Sequence, residues 1–225
     1  EELDTFEELE KVVEKFEELE KVVEEIAEVK IIEVIHRPRI HCSVPFKVRE
    51  HAQEKLATIV DTWGSKCDVL RFFVDRGDTV LFEEKFQKYL VEIDMVRHSG
   101  DGIGRDGQQS KHIWERAWRM HVWVYENALD EAEWFTKIDC DSYILIDNVK
   151  NYLSNYSWNN PLYMGHVLYH QKPALVSGPF TLFSRETIKQ LGPVLKGMPH
   201  EFGDRSKFQH GQCVDRDVSA CVHLY

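Results

Sequence analysis

The run Trp134-Phe135-Thr136-Lys137-Ile138-Asp139-Cys140-Asp141-Ser142-Tyr143-Ile144-Leu145-Ile146-Asp147-Asn148 opens as an apolar strand and ends in two acids one residue apart. In a strand, alternate residues return to the same face. Asp139 and Asp141 are therefore expected to point one way at the strand's carboxyl end. In an open α/β sheet that edge is where ligands bind. Two convergent carboxylates repel each other unless a cation lies between them. Hard divalent ions such as Mg²⁺ or Mn²⁺ favour oxygen ligands of this kind and bring phosphates with them. The triplet also has plainer readings. Its acids fit a solvated turn, and Asp141 or Ser142 fits the N-cap of a following helix.

The rest of the chain has the character of one substantial α/β domain with an acidic appendage. Its 225 residues suffice for a real core. The formal charge of −11 is unevenly spread: residues 1–30 hold thirteen acids and four lysines, and the remainder is nearly neutral. No basic run marks a nucleic-acid surface. No apolar run approaches the roughly 20 residues of a membrane span. There is no visible secretory signal and no initial Met, so the chain reads as a fragment from which any anchor or targeting segment would be missing, and that absence says little about location.

Residues 1–35 read as an acidic helical segment and 36–225 as the main domain. Phe6-Glu-Glu-Leu-Glu-Lys-Val-Val-Glu14 recurs as Phe16 to Glu24. Its apolar positions form a helical stripe, and Thr5 with Glu8 fits a capping box. The stripe's period, roughly 3.3 residues, falls short of the roughly 3.5 of a sustained coiled coil. A stalk or self-association helix and a solvated helix without a partner both remain open. His36-Arg37-Pro38-Arg39 ends the pattern.

Ile40 to Val44 reads as the first strand, Lys47 to Trp63 as a helix and Val69 to Val74 as a second strand. Phe82 to Tyr89 is ambiguous, and Leu90 to Val96 fits an edge strand. His98 to Ser110 reads as a surface loop. Lys111 to Leu129 fits a helix whose Trp114, Trp118, Trp123 and Tyr125 mostly pack in the core. Ile146 to Tyr156 and Arg185 to Leu191 complete the expected helices, with Ser184 as the latter's N-cap.

The metal-site strand resembles that of the β1,3-glycosyltransferases that include the core 1 β1,3-galactosyltransferases and the fringe proteins. The core 1 pattern of Trp-Phe, a Lys two on, Asp-x-Asp-Thr-Tyr, a hydrophobic triplet and Asp-Asn is kept here, with Ser142 for Thr and Cys140 in the middle. Four further stretches, one before this strand and three after it, keep the family's order. They are Thr62-Trp63-Gly64-Ser65-Lys66-Cys67, Asn160-Pro161-Leu162-Tyr163-Met164-Gly165 (a turn in the family), Ser177-Gly178-Pro179-Phe180 to Ser184, and Cys213 to Cys221.

The resemblance implies a GT-A-like, Rossmann-type nucleotide-sugar domain with a mostly parallel mixed sheet. It implies an inverting transfer of galactose from UDP-galactose, with Mn²⁺ on Asp139 and Asp141, to the 3-hydroxyl of GalNAc on Ser or Thr of a glycoprotein or glycopeptide. Asp139, Lys137, Ser177 and Gly178 would face the donor. Arg116 or Lys111 would replace a Lys that relatives carry. Pro179 and Phe180 stand where relatives have small residues, and would reshape the sugar pocket. Alignment on Cys221 makes Asp215 the general base, with Asp217 as the alternative. Relatives continue beyond this point to a His that ligates the metal; His210 and His223 lie outside that motif. Disulfides Cys42–Cys67 and Cys213–Cys221, and a lumenal Golgi location, follow from the same resemblance. The Pro179-Phe180 departure and the lost Lys also fit a non-catalytic member that binds or assists folding, and a β1,3-transferase with another sugar donor or acceptor is the remaining alternative.

Overall fold

A computed structural model describes residues 13–24, 36–95, 108–168 and 175–197. The chain divides into two compact units, Glu1–Arg37 and Pro38–Tyr225. In the first, residues 13–24 form helix α1. Val13, Phe16, Leu19, Val22 and Val23 on it are all exposed.

The second unit is built on a six-stranded sheet ordered β3-β2-β1-β4-β6-β5. Strands β1 (Ile40–Pro45), β2 (Val69–Asp75), β3 (Leu90–Ile93) and β4 (Trp134–Ile138) run parallel. β6 (Leu175–Ser184) pairs antiparallel with both β4 and β5 (Tyr163–Leu168). Helices cover both faces, which is why β4 is buried at every residue and reads as a nearly continuous apolar run. Trp134 and Ile138 join a core with Leu56 and Ile59 of α2 (Ala52–Asp61) and Ile146 and Leu153 of α4 (Ile146–Leu153). Phe135 packs on the other face with Ala117, Trp118 and Met120 of α3 (Gln108–Asn127) and Ile188 and Leu191 of α5 (Arg185–Gly197).

Several boundaries differ from the sequence reading. Helix α2 begins at Ala52, not Lys47, because His51 takes a left-handed conformation (φ 60°) that interrupts helical geometry ahead of it. Its end tightens into a 3-10 turn, Trp63–Lys66, that delivers Cys67 to Cys42 of β1. The expected Cys42–Cys67 disulfide is present. The ambiguous stretch before β3 contains a 3-10 helix, Glu84–Tyr89, and β3 is the sheet edge.

Helix α3 starts at Gln108, inside the stretch read as a loop; residues 98–107 of that stretch lie outside the described residues. α4 stops at Leu153 rather than Tyr156. α5 runs past Gly192-Pro193 to Gly197, because Leu191 and Leu195 continue its buried face onto α3. Gly192 permits that approach: a Cβ there would lie 2.1 Å from Cγ of Tyr125. Ser184 caps α5 as expected, its Oγ accepting the Thr187 N–H at 3.2 Å. Tyr163 to Gly165 form part of a strand rather than a turn.

Candidate active site at the carboxyl edge of the parallel strands

Four parallel strands end on one edge of the sheet, and the Asp pair lies there. β4 stops at Ile138, and Asp139 to Ser142 form a turn closed by the Ser142 N–H donating to the Asp139 carbonyl at 3.0 Å. The aspartates are thus presented by a turn, not by strand alternation. Neither caps a helix: α4 begins at Ile146 with Leu145 at the cap position and no side-chain cap bond. Asp141 is exposed, and the Asp139 side chain is 41 % exposed.

Strand β6 braces this turn. Its bend at Gly178, which needs a positive φ of 113°, coincides with a register shift against β5 between Gly165 and His166. On the other side of β6, the Asp139 N–H donates to the Pro179 carbonyl at 2.8 Å. The buried Lys137 ammonium joins the two parts: its Nζ is 2.9 Å from Asp139 Oδ1 and donates to the Gly178 carbonyl at 3.3 Å. Of the sequence-named residues, the fold therefore brings Lys137, Asp139, Asp141 and Gly178 together. Ser177 lies beside them in β6, in register with His166. His121 of α3 lies near Lys137; burial, and secondarily the lysine's charge, lower its pKa to about 3, so it is neutral at physiological pH.

Arg116 reaches the same edge but is only 3 % exposed, and its guanidinium is hydrogen-bonded to Asp75 at the end of β2. Burial lowers its pKa, while Asp75, Asp78 and Cys140 oppose that shift. Lys47, after β1, has its pKa lowered by partial burial and by Arg49 and Arg116. Cys140 carries a free thiol, whose pKa is raised chiefly by burial and lowered in part by Lys55. The thiol is therefore a neutral group between the two acids.

Sequence reasoning missed Asp75, Asp78 and Lys47. Asp75 had a signal like that of Asp139, an acid closing a largely apolar run. Lys111 has no described side chain, and Asp215, Asp217, His210, His223 and the Cys213–Cys221 pair lie outside the described residues.

The sheet, its helices and this acidic edge define an α/β domain of the GT-A-like glycosyltransferase type. The Fringe-like family model matches residues 44–179, more than half of the chain, and the chain belongs to that family. It is 34 % identical over 91 residues to glycoprotein-N-acetylgalactosamine 3-beta-galactosyltransferase 1 of Xenopus laevis, covering 40 % of this chain and 24 % of that protein. It is 26 % identical over 125 residues to the human and mouse chondroitin sulfate synthase 3 proteins, covering 49 % of this chain and 14 % of each relative. The chain thus spans about a quarter or less of the length of these curated relatives.

Proposed function

We propose that this domain is the donor-binding part of an inverting, metal-dependent glycosyltransferase that moves galactose from UDP-galactose to the 3-hydroxyl of GalNAc on Ser or Thr of a glycoprotein. The observation that carries the reading is the Asp139–Asp141 turn at the carboxyl edge of the parallel strands, in a chain of the Fringe-like family. The galactose and GalNAc assignments rest on the sequence resemblance and on the likeness to the Xenopus galactosyltransferase.

The donor set suits Mn²⁺. Two carboxylates of this kind would share a hard divalent ion with diphosphate oxygens and water; among the described residues no group of three or more His, Cys, Asp or Glu side chains is placed to hold one. A cation held there stabilises the charge that gathers on a departing diphosphate. In this reading Asp141, from its exposed position, is the principal protein ligand, and Asp139 borders the donor while braced from behind. Gly178 and Ser177 line the sugar side, where Gly178 lets backbone approach closely. Arg116 contributes through Asp75 rather than as an independent cation. Asp215, with Asp217 as the alternative, takes the proton from the acceptor hydroxyl as it attacks the anomeric carbon. The hydroxyl acidifies only as the new bond forms, so a carboxylate suffices as base.

The Cys42–Cys67 disulfide supports an oxidising, lumenal setting such as the secretory pathway, and the Golgi assignment within it rests on the sequence resemblance. No helix among the described residues is long and apolar enough to cross a membrane. Residues 1–35 would serve as an acidic stem or self-association segment. A screen of UDP-sugars for thermal stabilisation in the presence of Mn²⁺ tests the assignment. UDP-galactose should raise the melting temperature only with Mn²⁺; stabilisation by no UDP-sugar would refute the reading.

A further inference from the structure

Helix α4 buries one stripe, Ile146, Lys150 and Leu153, in the domain core. The opposite side of such a surface helix is ordinarily polar. Here Leu145 just ahead of the helix, Tyr152 within it and Tyr156 just beyond it are all exposed, Tyr152 at 56 %. With the half-buried Val149 they follow one another at helical spacing and share a face. The Tyr152 and Tyr156 hydroxyls are hydrogen-bonded at 2.9 Å and the two rings lie 5.0 Å apart. The Tyr152 ring is thus positioned in advance, which lowers the cost of ordering it around a ligand.

This face borders a groove of about 360 Å³ between α4 and the β5–β6 pair, the size of a small-molecule site. Phe180 and Leu182 of β6, Met164 of β5 and Leu153 of α4 line its apolar part, and Asn148 and Tyr152 stand exposed at its rim. No lining side chain carries a formal charge. Yet the acidic turn is close by, since Phe180 pairs with Ile138, the residue before Asp139.

We infer that this groove is a binding subsite for a neutral sugar ring, with the Tyr152 ring as its stacking platform and the Asn148 amide as its hydrogen-bonding anchor. A pyranose offers a face of C–H groups and a rim of hydroxyls. The C–H groups suit the negative face of a tyrosine ring, and the hydroxyls suit an amide that both donates and accepts. A charged sugar finds no counter-charge here and gives up hydration on entering. A purely apolar partner would cover the Asn148 amide without bonding it, again at a desolvation cost. Calling this sugar part of the acceptor rests on the proposed transferase reading; the groove's affinity for sugar does not.

The test is saturation-transfer NMR on the full chain with methyl α-N-acetylgalactosaminide as probe, without UDP or Mn²⁺. Saturation should concentrate on the ring protons of one face of the sugar. Tyr152→Ala should weaken binding about tenfold, the scale of a well-placed aromatic contact. Tyr152→Phe, which keeps the ring, should restore most of the affinity. No saturation of the probe, uniform saturation around its ring, or unchanged affinity in Tyr152→Ala overturns the inference. Equal affinity for a methyl glucuronide, or tighter binding of an unglycosylated threonine peptide, overturns it as well. A dimer in sedimentation that Tyr152→Ala disperses, with no probe bound, assigns the face to a second copy instead. UDP binding in Mn²⁺, measured on the same protein, bears on the donor reading alone. Sugar bound without UDP keeps the subsite and removes its acceptor attribution, whereas UDP bound without sugar keeps the donor reading and removes the subsite.

Discussion

The backbone N–H of Asp139 donates to the carbonyl of Pro179 at 2.8 Å, which joins the end of the central parallel strand to a bend in its antiparallel neighbour. The acidic turn is thereby held on a rigid sheet rather than on a loose loop, and the bend beside it becomes part of the site.

Gly178 makes that bend, and an alanine there should disturb it. At φ 113° a side chain is strained even though the nearest atom to an added Cβ, His166 Cβ, is 3.7 Å away. The penalty is therefore conformational, about 1–2 kcal/mol. Gly178→Ala should lower thermal stability by that amount and weaken Mn²⁺-dependent UDP binding. Thermal denaturation and calorimetry on the same sample read both effects.

Joining β1 to the turn after α2, the Cys42–Cys67 bond closes a loop of sequence separation 25. Loop-closure entropy assigns it about 3 kcal/mol. Urea denaturation with and without reductant should show a loss of unfolding free energy of that size, and the Cys42→Ala, Cys67→Ala double variant should match the reduced protein.

Two buried histidines make the domain acid-sensitive. The pKa values of His41 and His121 are lowered from 6.5 to about 3, first by burial, then by Arg71 for His41 and by Lys137 for His121. The unfolded chain binds their protons first, so their stabilising contribution is full above about pH 6.5 and is lost as pH falls toward 3. At pH 5 each should have cost about 2 kcal/mol relative to pH 7. His121→Gln should flatten the fall in unfolding free energy between pH 7 and pH 5, read by denaturant titration; an unchanged slope would contradict the assignment.

The exposed apolar residues of α1 suit a contact with another copy of the helix, although residues 1–30 carry a large net negative charge. If this segment drives association, sedimentation should show oligomers in the full chain that are weakened at low salt and lost on deleting residues 1–30. Identical sedimentation behaviour with and without the segment would reduce it to a solvated stem.

Much of the parallel half of the sheet was legible because parallel strands buried on both faces must be written as apolar runs. Ile40–Val44, Val69–Val74 and Trp134–Ile138 each stand out for that reason, and the acids after β4 mark the edge. The β5–β6 pair was harder to see. Gly165, Gly178 and Pro179 break its alternation, and a bulge carries two pairings that no local pattern encodes. The partner of Arg116 was hidden because Asp75 is 41 residues away in sequence. The start of α2 depended on a left-handed His51, a conformation that residue type does not announce.

The direct trial of the central claim is a calorimetric titration of UDP into the protein and into Asp141→Ala, each with and without Mn²⁺. The account predicts binding to the unaltered chain with Mn²⁺, and none without the ion or without the Asp141 carboxylate. UDP affinity in Asp141→Ala equal to that of the unaltered chain would contradict it.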